Sequence, residues 1–373
     1  MSNKKIKVLH FEIDGKIGGI ETFLLNLYKN IDRRNIQFGF VTRSKEIPFQ
    51  KDILDLGGCI EYIEGFNNIF QYIKDITRIL NKGYDIVHIH KNSAANIIPF
   101  ILAKKYGLPI VSHSHNTRPS CGTLSYVLHY INRVLLYKLS DVHLACSQDA
   151  GKWLYSNKKF QVVKNGVIVN NFLYDDKIAS IKRKELSIND NQLVIGHIGR
   201  FTKQKNHEGL VKIFKEILVN KPDAILLLIG DGPLKAGITN MVKKMGLDDS
   251  VMMLGIRKDI PELLMAMDVF LMPSLYEGLP IAAVEAQASG VDVFLSNTIS
   301  QQTEIISSVK WFDNKWDYKM IADFVCNSYK LYRKNIRKNA NKQVANAGFD
   351  IDYTASELSK KYQFLIFAAC NKR

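Results

Sequence analysis

The segment Glu277-Gly-Leu-Pro-Ile-Ala-Ala-Val-Glu285 places two carboxylates eight residues apart around a Gly-Leu-Pro turn. Pro280 suits the first position of a helix, where its missing N–H costs nothing, and Gly290 suits the end of that helix. We therefore predict a helix from Ile281 to Ser289. Because a helix N-terminus offers free N–H groups and a positive dipole end, the segment predicts binding of an anion such as a sugar nucleotide.

Each part of this segment has a candidate ligand contact. Glu277 precedes the turn, where it can accept hydrogen bonds from sugar hydroxyls. Glu285 lies about two helical turns further on, within reach of a ribose diol on the same ligand. The N–H groups of Gly278 and Leu279, with Pro280 behind them, are expected to face a phosphate. The alternative is an ordinary surface helix with two solvated glutamates, because motifs this short recur by chance.

A second segment, Gly199-Arg-Phe-Thr-Lys-Gln-Lys-Asn206, joins an apolar run to an amphipathic stretch. It is therefore predicted to be a strand-to-helix loop that carries several cations. Arg200 presents a planar fork of donors and Lys205 a mobile point charge, so the two can stabilise a departing nucleoside diphosphate without a metal ion. The competing interpretation is a solvated basic loop in a lysine-rich chain.

Glycines and histidines follow other strand-like runs. Gly18-Gly19 permits close backbone approach to a phosphate or sugar, although a tight turn explains a lone Gly-Gly pair equally well. Gly230 and Gly232 of the Gly-Asp-Gly-Pro motif offer the same freedom next to a ligand. The run Ser-His-Ser-His-Asn-Thr at 112–117 contains two histidines. Since no third ligand follows at suitable spacing, we predict no metal site.

Taken in their order along the chain, these segments and Lys-Asn-Gly-Val at 164–167 together resemble glycosyltransferase family 4. The resemblance covers residues 6 to about 300. It implies an α/β chain with the GT-B fold, in which two Rossmann-like doubly wound domains face a cleft. It also implies metal-independent transfer with retention of anomeric configuration and no cofactor. One departure is Asp292, where the family usually has proline.

The motifs and the resemblance together assign residue roles. By resemblance, His115 lies near the transferred sugar, His113 lies on the opposite side, and the nucleotide base sits at the loop with Ile256 and Arg257. The predicted catalytic residues are His115, Arg200, Lys205 and Glu277. The predicted donor-binding residues are Gly18, Gly19, Gly199, Gly230, Gly232, Ile256, Arg257, Gly278, Leu279, Pro280 and Glu285.

The domain organisation follows from length and from the alternation of apolar runs with amphipathic stretches. A chain of 373 residues usually divides into two domains. We predict an acceptor-binding Rossmann-like domain over 1–170 and a linker over 171–190, where a basic cluster favours a solvated helix. A nucleotide-sugar-binding Rossmann-like domain follows over 191–345. By resemblance, a terminal helix over 346–373 crosses back to the N-terminal domain.

Composition limits the location and the partners. The net charge of +15 predicts attraction to phosphorylated substrates or anionic lipid. No apolar run is long enough to span a membrane, no signal peptide is recognisable, and five unpaired cysteines suit a reducing cytosol. We therefore expect a cytoplasmic protein with peripheral contact at the inner face of the membrane. The positions Leu124, Leu128, Ile131 and Leu135 form the candidate membrane-facing stripe.

The predicted function is transfer of a hexose or N-acetylhexosamine from a UDP-sugar to a glycan acceptor. The resemblance implies capsule, O-antigen or exopolysaccharide synthesis, with an acceptor carried on a lipid diphosphate. Two alternatives within the GT-B fold are a GDP-mannose-dependent α-mannosyltransferase and a sugar-nucleotide epimerase. A basic nucleic-acid-binding protein is a remote alternative, because no nucleic-acid module is recognisable.

Overall fold

The computed structural model describes residues 5–13, 15, 18–47, 49–117, 122–307, 309–329 and 337–371. The chain forms two compact units, one comprising Met1–Gly166 with Ile351–Arg373 and the other Val167–Asp350. Among the described helices, none is both long and apolar enough to cross a membrane. Four cysteines are free thiols, and Cys121 lies outside the described residues.

The first unit is built on a seven-stranded parallel sheet with strand order β3-β2-β1-β4-β5-β6-β7. Its strands are β1 (Ile6–Ile13), β2 (Ile36–Thr42), β3 (Cys59–Tyr62), β4 (Ile86–Lys91), β5 (Ile110–Ser114), β6 (Val142–Ala145) and β7 (Gln161–Val162). The helices that alternate with them are α1 (Gly19–Asn30), α2 (Gln50–Asp55), α3 (Ile69–Leu80), α4 (Ile98–Lys105), α5 (Thr123–Leu139) and α6 (Gln148–Tyr155).

The C-terminal helix, Ile351–Cys370, belongs to this first unit and packs on α1. Leu358, Tyr362 and Leu365 form its buried apolar stripe. The Tyr362 hydroxyl lies 2.7 Å from Nδ1 of His88 in β4. The last helix of the chain is therefore held to the first unit in two ways. It packs through apolar side chains, and it makes a buried hydrogen bond to the sheet of that unit.

Helix α5 leaves an apolar face uncovered within its own unit. Leu124 is 70% exposed and Ile131 is 65% exposed, and Leu128 and Leu135 are also exposed. Only His129 and Leu136 of this 17-residue helix are buried. A contiguous exposed apolar face on one helix is typical of an interaction surface.

The second unit is built on a six-stranded parallel sheet with strand order β10-β9-β8-β11-β12-β13. Its strands are β8 (Val194–Ile198), β9 (Ile225–Ile229), β10 (Val251–Gly255), β11 (Val269–Met272), β12 (Asp292–Ser296) and β13 (Val309–Phe312). Its helices are α7 (Asp176–Glu185), α8 (His207–Asn220), α9 (Lys235–Lys244), α10 (Ile260–Ala266), α11 (Ile281–Ala288), α12 (Tyr318–Ser328) and α13 (Ala340–Val344).

Both sheets contain every strand predicted from the apolar runs, and each contains one more at its edge. β7 has only two residues, so it gives no apolar run. β13 is interrupted by Lys310, whose ammonium lies 3.1 Å from the carboxylate of Asp292. This ion pair explains how the unusual Asp292 is accommodated at the buried start of β12.

The prediction of a solvated linker helix at 171–190 is wrong. Helix α7 lies inside the second unit and packs on α10, and Arg183 is buried. The Arg183 guanidinium donates to the carboxylate of Asp268 at 2.7 Å and to the carbonyl oxygens of Ala266 and Gln192 at 3.0 and 3.1 Å. The basic cluster in the sequence did not reveal that one of its residues, Arg183, donates hydrogen bonds to buried acceptors.

We predict that Arg183→Ala destabilises the second unit by about 3 kcal/mol, because it leaves the Asp268 carboxylate without its cation. The free energy of unfolding is measured by urea denaturation. The matched control is Lys184→Ala, which removes the neighbouring exposed cation and should change stability by less than about 0.5 kcal/mol. Equal effects of the two substitutions would contradict this role of Arg183.

Candidate active site

The strand order of the second unit reverses between β8 and β11. The chain runs from β8 to β9 and β10 on one side, and from β11 to β12 and β13 on the other. In an open parallel sheet, such a reversal leaves a crevice at the carboxyl ends of the two central strands, and ligands bind there. Residues 199–206 follow β8 and residues 273–280 follow β11, so both predicted motifs flank this crevice.

The two loops are joined by backbone and side-chain hydrogen bonds. The N–H of Leu275 donates to the carbonyl of Gln204 at 2.8 Å, and the Gln204 amide donates to the carbonyl of Tyr276 at 3.1 Å. Asn206 adopts the left-handed conformation with φ 54° and caps α8 by accepting from the N–H of Gly209 at 3.2 Å. Its amide also donates to the carbonyl of Pro273 at 3.1 Å. Asn206 thus fixes the start of α8 and the position of the facing loop together.

Lys205 and Glu277, one from each loop, form an ion pair. Their Nζ and Oε1 atoms lie 2.8 Å apart, and the side chains are only 16% and 10% exposed. Two charges held this far from water lose hydration energy that their mutual attraction offsets only in good geometry. The tertiary structure therefore brings together two predicted catalytic residues that are distant in sequence.

Arg200 differs from the other central cations because it has no carboxylate partner among the described residues. Its side chain is partly buried, and its Nε has no hydrogen-bond acceptor. A partly buried guanidinium that lacks an acceptor favours binding of an anion, since an unmet charged donor carries the full cost of desolvation. Among the described residues of the two loops, Arg200 is thus a partly buried cation without a carboxylate partner.

The glycines of the neighbouring loops serve close packing of backbone against backbone. A Cβ on Gly230, at φ 134°, would lie 2.2 Å from the carbonyl oxygen of Gly199. A Cβ on Gly232, at φ 158°, would lie 2.7 Å from the backbone N and O of Phe201. The sequence indicated freedom next to a ligand. In the structure, these glycines instead let residues 230–232 lie directly against residues 199–201.

Helix α11 begins at Ile281, as predicted. Pro280 was expected at the first position of the helix, but it lies one position earlier. Pro280 is the N-cap, with φ −70° and ψ 120°, and the helix ends before Gly290 at φ 71°. The unpaired amides of the first turn are consequently those of Ile281 and Ala282, beyond the predicted Gly278 and Leu279. The start of the helix therefore lies beyond Gly278 and Leu279, whose contact with an anion stays a prediction.

Glu285 lies in the second turn of α11 and is 9% exposed. Burial raises the pKa of its carboxyl group to about 8. No hydrogen-bond donor to this carboxyl group is present in the described part of the chain. A nearly buried acid without a partner is a candidate ligand contact, because a polar group in such a place costs free energy unless something binds it.

The loop after β10 adjoins the same edge, since the N–H of Gly230 donates to the carbonyl of Gly255 at 2.8 Å. Ile256 is 54% exposed. Arg257 donates to both carboxylate oxygens of Asp259 at 2.7 and 2.6 Å, which raises the pKa of Arg257 and holds that of Asp259 well below its usual range. Arg257 therefore shapes its own loop and is not a free cation like Arg200.

Two histidines beneath the loops were missed by the sequence analysis. His197 in β8 is buried, and its Nδ1 lies 2.8 Å from the carbonyl oxygen of Leu271 in β11. His207 stacks on Phe201 with ring centroids 3.9 Å apart. Burial lowers the pKa of His197 to about 4 and that of His207 to about 2, so both rings are neutral under the cationic loop. The sequence offered one signal for such a buried residue, namely a histidine inside an apolar run.

The remaining predicted residues lie in the first unit. Gly18 is the N-cap of α1 and Gly19 is its first residue, while Lys16 and Ile17 of the same motif lie outside the described residues. His115 directly follows β5. The prediction that His113 points to the opposite side is wrong, because the rings of His113 and His115 lie 4.1 Å apart. Residues two apart in a strand share a face.

Comparison with known proteins assigns the chain to a family. Residues 17–171 match the model for glycosyltransferase family 4, and residues 179–343 match the model for glycosyl transferases group 1. EpsF of Bacillus subtilis (strain 168), a protein named as a glycosyltransferase, is 32% identical over 317 residues, which are 82% of each chain. The chain belongs to glycosyltransferase family 4.

Two further relatives of this glycosyltransferase carry informative names. The UDP-Gal:alpha-D-GlcNAc-diphosphoundecaprenol alpha-1,3-galactosyltransferase of Escherichia coli is 29% identical over 314 residues, covering 79% of this chain and 80% of the relative. The crystal structure of HepE from Anabaena in complex with UDP and glucose superposes with a TM-score of 0.77 at 19% identity, covering 96% and 99% of the two chains. The predicted GT-B fold is confirmed.

The glycosyltransferase should show a pH-dependent stability that originates at Glu285. The folded chain holds a proton on this carboxyl group up to about pH 8, whereas the unfolded chain releases it near the ordinary pKa of 4.5. Its contribution to the free energy of unfolding therefore falls as the pH rises from about 5 to 8.

We expect Glu285→Gln to gain stability over the parent protein between pH 5 and pH 8, because glutamine has no proton to lose. Urea denaturation at both pH values measures the difference. Glu208→Gln, at an exposed position of α8, is the matched control and should show no such change. A stability difference for Glu285→Gln that is the same at both pH values would contradict the raised pKa.

Proposed function

We propose that this glycosyltransferase moves a hexose or N-acetylhexosamine from a UDP-sugar to a lipid-linked glycan, with retention of configuration and without a metal ion. The observation that carries the proposal is the arrangement at the β8–β11 crevice. The unpaired guanidinium of Arg200 follows one strand, the start of α11 follows the other, and the Lys205–Glu277 ion pair joins them.

The cations of the crevice would stabilise the leaving diphosphate. Negative charge on the leaving oxygen grows as the sugar bond breaks, so donors fixed before the reaction lower the barrier most. Arg200 supplies a bidentate fork, and Lys205 supplies a point charge whose position Glu277 fixes. The first-turn amides of α11 add partial positive charge at no cost in reorganisation.

The two glutamates would hold the sugar portions of the donor. Glu277 is oriented by Lys205 and by its chain position, since the N–H of Ser300 donates to its carbonyl at 3.2 Å. Its carboxylate is placed to accept hydrogen bonds from the hydroxyls of the reacting ring. Glu285, which lacks a donor of its own, would accept from the ribose diol and become ionised on binding.

Uridine is the proposed base. HepE, which shares the fold, is described with bound UDP, and the E. coli relative is named as a UDP-galactose enzyme. The base would lie at the loop that contains Ile256 and Arg257, where backbone groups make the contacts. Donor screening by thermal shift with UDP-, GDP- and ADP-sugars tests this choice, because only a ligand that binds the folded chain raises its midpoint.

In the first unit, His115 is proposed to contact the transferred sugar. Burial lowers the pKa of its ring to about 3, so at neutral pH it exchanges hydrogen bonds without carrying charge. No carboxylate is assigned as a covalent nucleophile. We propose same-face attack, in which an oxygen of the departing phosphate accepts the proton of the acceptor hydroxyl.

Kinetics on four variants test the donor site. We expect Arg200→Ala and Lys205→Ala to lower kcat more than donor affinity, because their partner charge develops in the transition state. Glu285→Ala should mainly weaken donor binding, and Glu277→Ala should lower both. Each loss is expected at about 2 to 4 kcal/mol, the range for a preorganised polar contact.

The matched control is Lys203→Ala, which removes an exposed cation from the same loop and should leave kcat/KM within about twofold. Circular dichroism confirms that each variant is folded. Turnover of Glu277→Ala or Lys205→Ala near that of the parent protein would refute the donor site, and nucleotide release without transfer to the acceptor would refute the reaction.

The acceptor is proposed to be a lipid diphosphate that carries a glycan, reached at an anionic membrane surface. The E. coli relative is named for an acceptor on diphosphoundecaprenol. Helix α5 supports membrane contact through its exposed apolar face, and its last turn carries the cation Lys138. Apolar insertion and attraction to anionic lipid act together in such helices.

Liposome flotation tests the membrane contact. Binding should increase with the anionic lipid fraction and weaken with salt. Leu124→Asp combined with Ile131→Asp should lower the partition coefficient by about tenfold or more, since two inserting side chains are lost. Val219→Asp, an exposed apolar position in the second unit, is the control. Equal binding of neutral vesicles, or equal binding by all variants, would contradict the proposal.

A further inference from the structure

Five histidines lie side by side in the first unit. They are His10 in β1, His88 and His90 in β4, and His113 and His115 at the end of β5. The strand register pairs His10 with His88 and His90 with His113, and alternate residues of a strand share a face. The parallel sheet therefore gathers five imidazoles into one row, which no single sequence motif contains.

Neighbouring rings in the row lie close enough for their nitrogen atoms to be in contact. Nδ1 of His90 lies 2.8 Å from Nε2 of His115, and Nε2 of His90 lies 3.0 Å from Nδ1 of His10. One nitrogen from each of His90, His113 and His115 lies within 4.8 Å of the other two. Three nitrogens of a tetrahedral zinc site are about 3.3 Å apart, because each Zn–N bond is about 2.0 Å long. The separations in the trio are thus of the same order as those in a zinc site.

The trio also contains a buried ring nitrogen without a protein partner. Nδ1 of His115 has no hydrogen-bond partner among the described residues, and Nε2 of the same ring lies beside Nδ1 of His90. A buried polar atom without a partner costs free energy, which a bound ion would offset. A metal ion binds a neutral imidazole through one ring nitrogen while the other carries the hydrogen.

We propose that His90, His113 and His115 form a binding site for one divalent transition-metal ion, with zinc as the best match to three neutral imidazoles. His10 supports the site, because its Nδ1 lies 3.0 Å from Nε2 of His90, and in the tautomer with the hydrogen on Nε2 of His90 the Nδ1 of His90 is left to bind the ion. A metal-binding histidine is typically held by such a second hydrogen bond. His115 is partly exposed, which provides entry and leaves a fourth position for water.

A second trio, His10, His88 and His90, is the less suitable arrangement. All three residues are fully buried, so an ion has no evident route of entry. The outer trio therefore carries the inference, and the inner one is distinguished from it by experiment.

Metal binding has a consequence for turnover that rests on the proposed function, whereas the binding itself does not. An ion held by His115 occupies the ring that we assign to the transferred sugar. Zinc should therefore inhibit transfer, and EDTA should restore it. Magnesium and manganese, which prefer oxygen ligands, should neither inhibit nor be required.

The experiment uses full-length protein without an affinity tag. The protein is incubated with zinc chloride and gel-filtered, and its bound zinc is measured by inductively coupled plasma mass spectrometry. We expect one zinc ion per chain in the parent protein, and loss of stoichiometric binding in His113→Gln and in His115→Gln. His10→Gln should bind about tenfold more weakly, as expected for a supporting residue.

His143→Gln is the matched control, because His143 lies in the same unit outside the row and its Nε2–H donates to the Tyr137 carbonyl. It should retain one zinc ion. Circular dichroism separates lost binding from lost folding, and His115→Gln, at the partly exposed end, provides the variant that folds most readily. Substoichiometric zinc in the parent protein, or full binding in a folded His115→Gln, would overturn the proposal.

His88→Gln distinguishes the two trios. It should keep its zinc if the outer trio binds the ion, whereas loss in His88→Gln with retention in His115→Gln would assign the ion to the inner trio and overturn ours. If no sample shows transfer activity, the proposed function is refuted. The measured zinc content would still test the metal site. Zinc bound without inhibition would refute only the contact of His115 with the sugar.

Discussion

The Lys205–Glu277 ion pair is the contact on which the arrangement of the proposed donor site depends. It joins the loops that follow β8 and β11, the two strands between which the sheet reverses direction. The hydrogen bonds made by Gln204 and Asn206 set these loops at a fixed spacing, so the ion pair forms in a defined geometry. Arg200 and the start of α11 take their positions from the same two loops.

The second unit treats its buried and partly buried cations in two ways. Arg183 and Arg257 are fully occupied by carboxylates and carbonyls of the protein, and they stabilise the fold of their own segments. Among the described residues, by contrast, Nε of Arg200 has no acceptor and the carboxyl group of Glu285 has no donor. An unmet cation and an unmet acid near a strand-end crevice support the proposal of a ligand with both phosphate and hydroxyl groups.

The first unit differs from the second in the titratable groups that lie on its sheet. Its sheet holds five histidines in a row, and burial keeps them neutral, so the row adds no charge to a chain whose net charge is already +15. Ring stacking and N–H···N contacts give the row its order, and Tyr362 of the C-terminal helix closes one end of it.

The sequence by itself determined the alternation of strands and helices, the order of the motifs and the family, because apolar periodicity and local turn chemistry act between near neighbours. It identified Glu277, Lys205, Arg200 and Glu285 as residue types suited to a sugar nucleotide. Only the tertiary structure decided which of these charges are paired. It also showed that Gly230 and Gly232 serve packing, that α7 is anchored and not solvated, and that His10, His88 and His90 join His113 and His115. These features depend on contacts between strands that are far apart in the chain, and such contacts follow from sheet order and register, which local sequence does not specify.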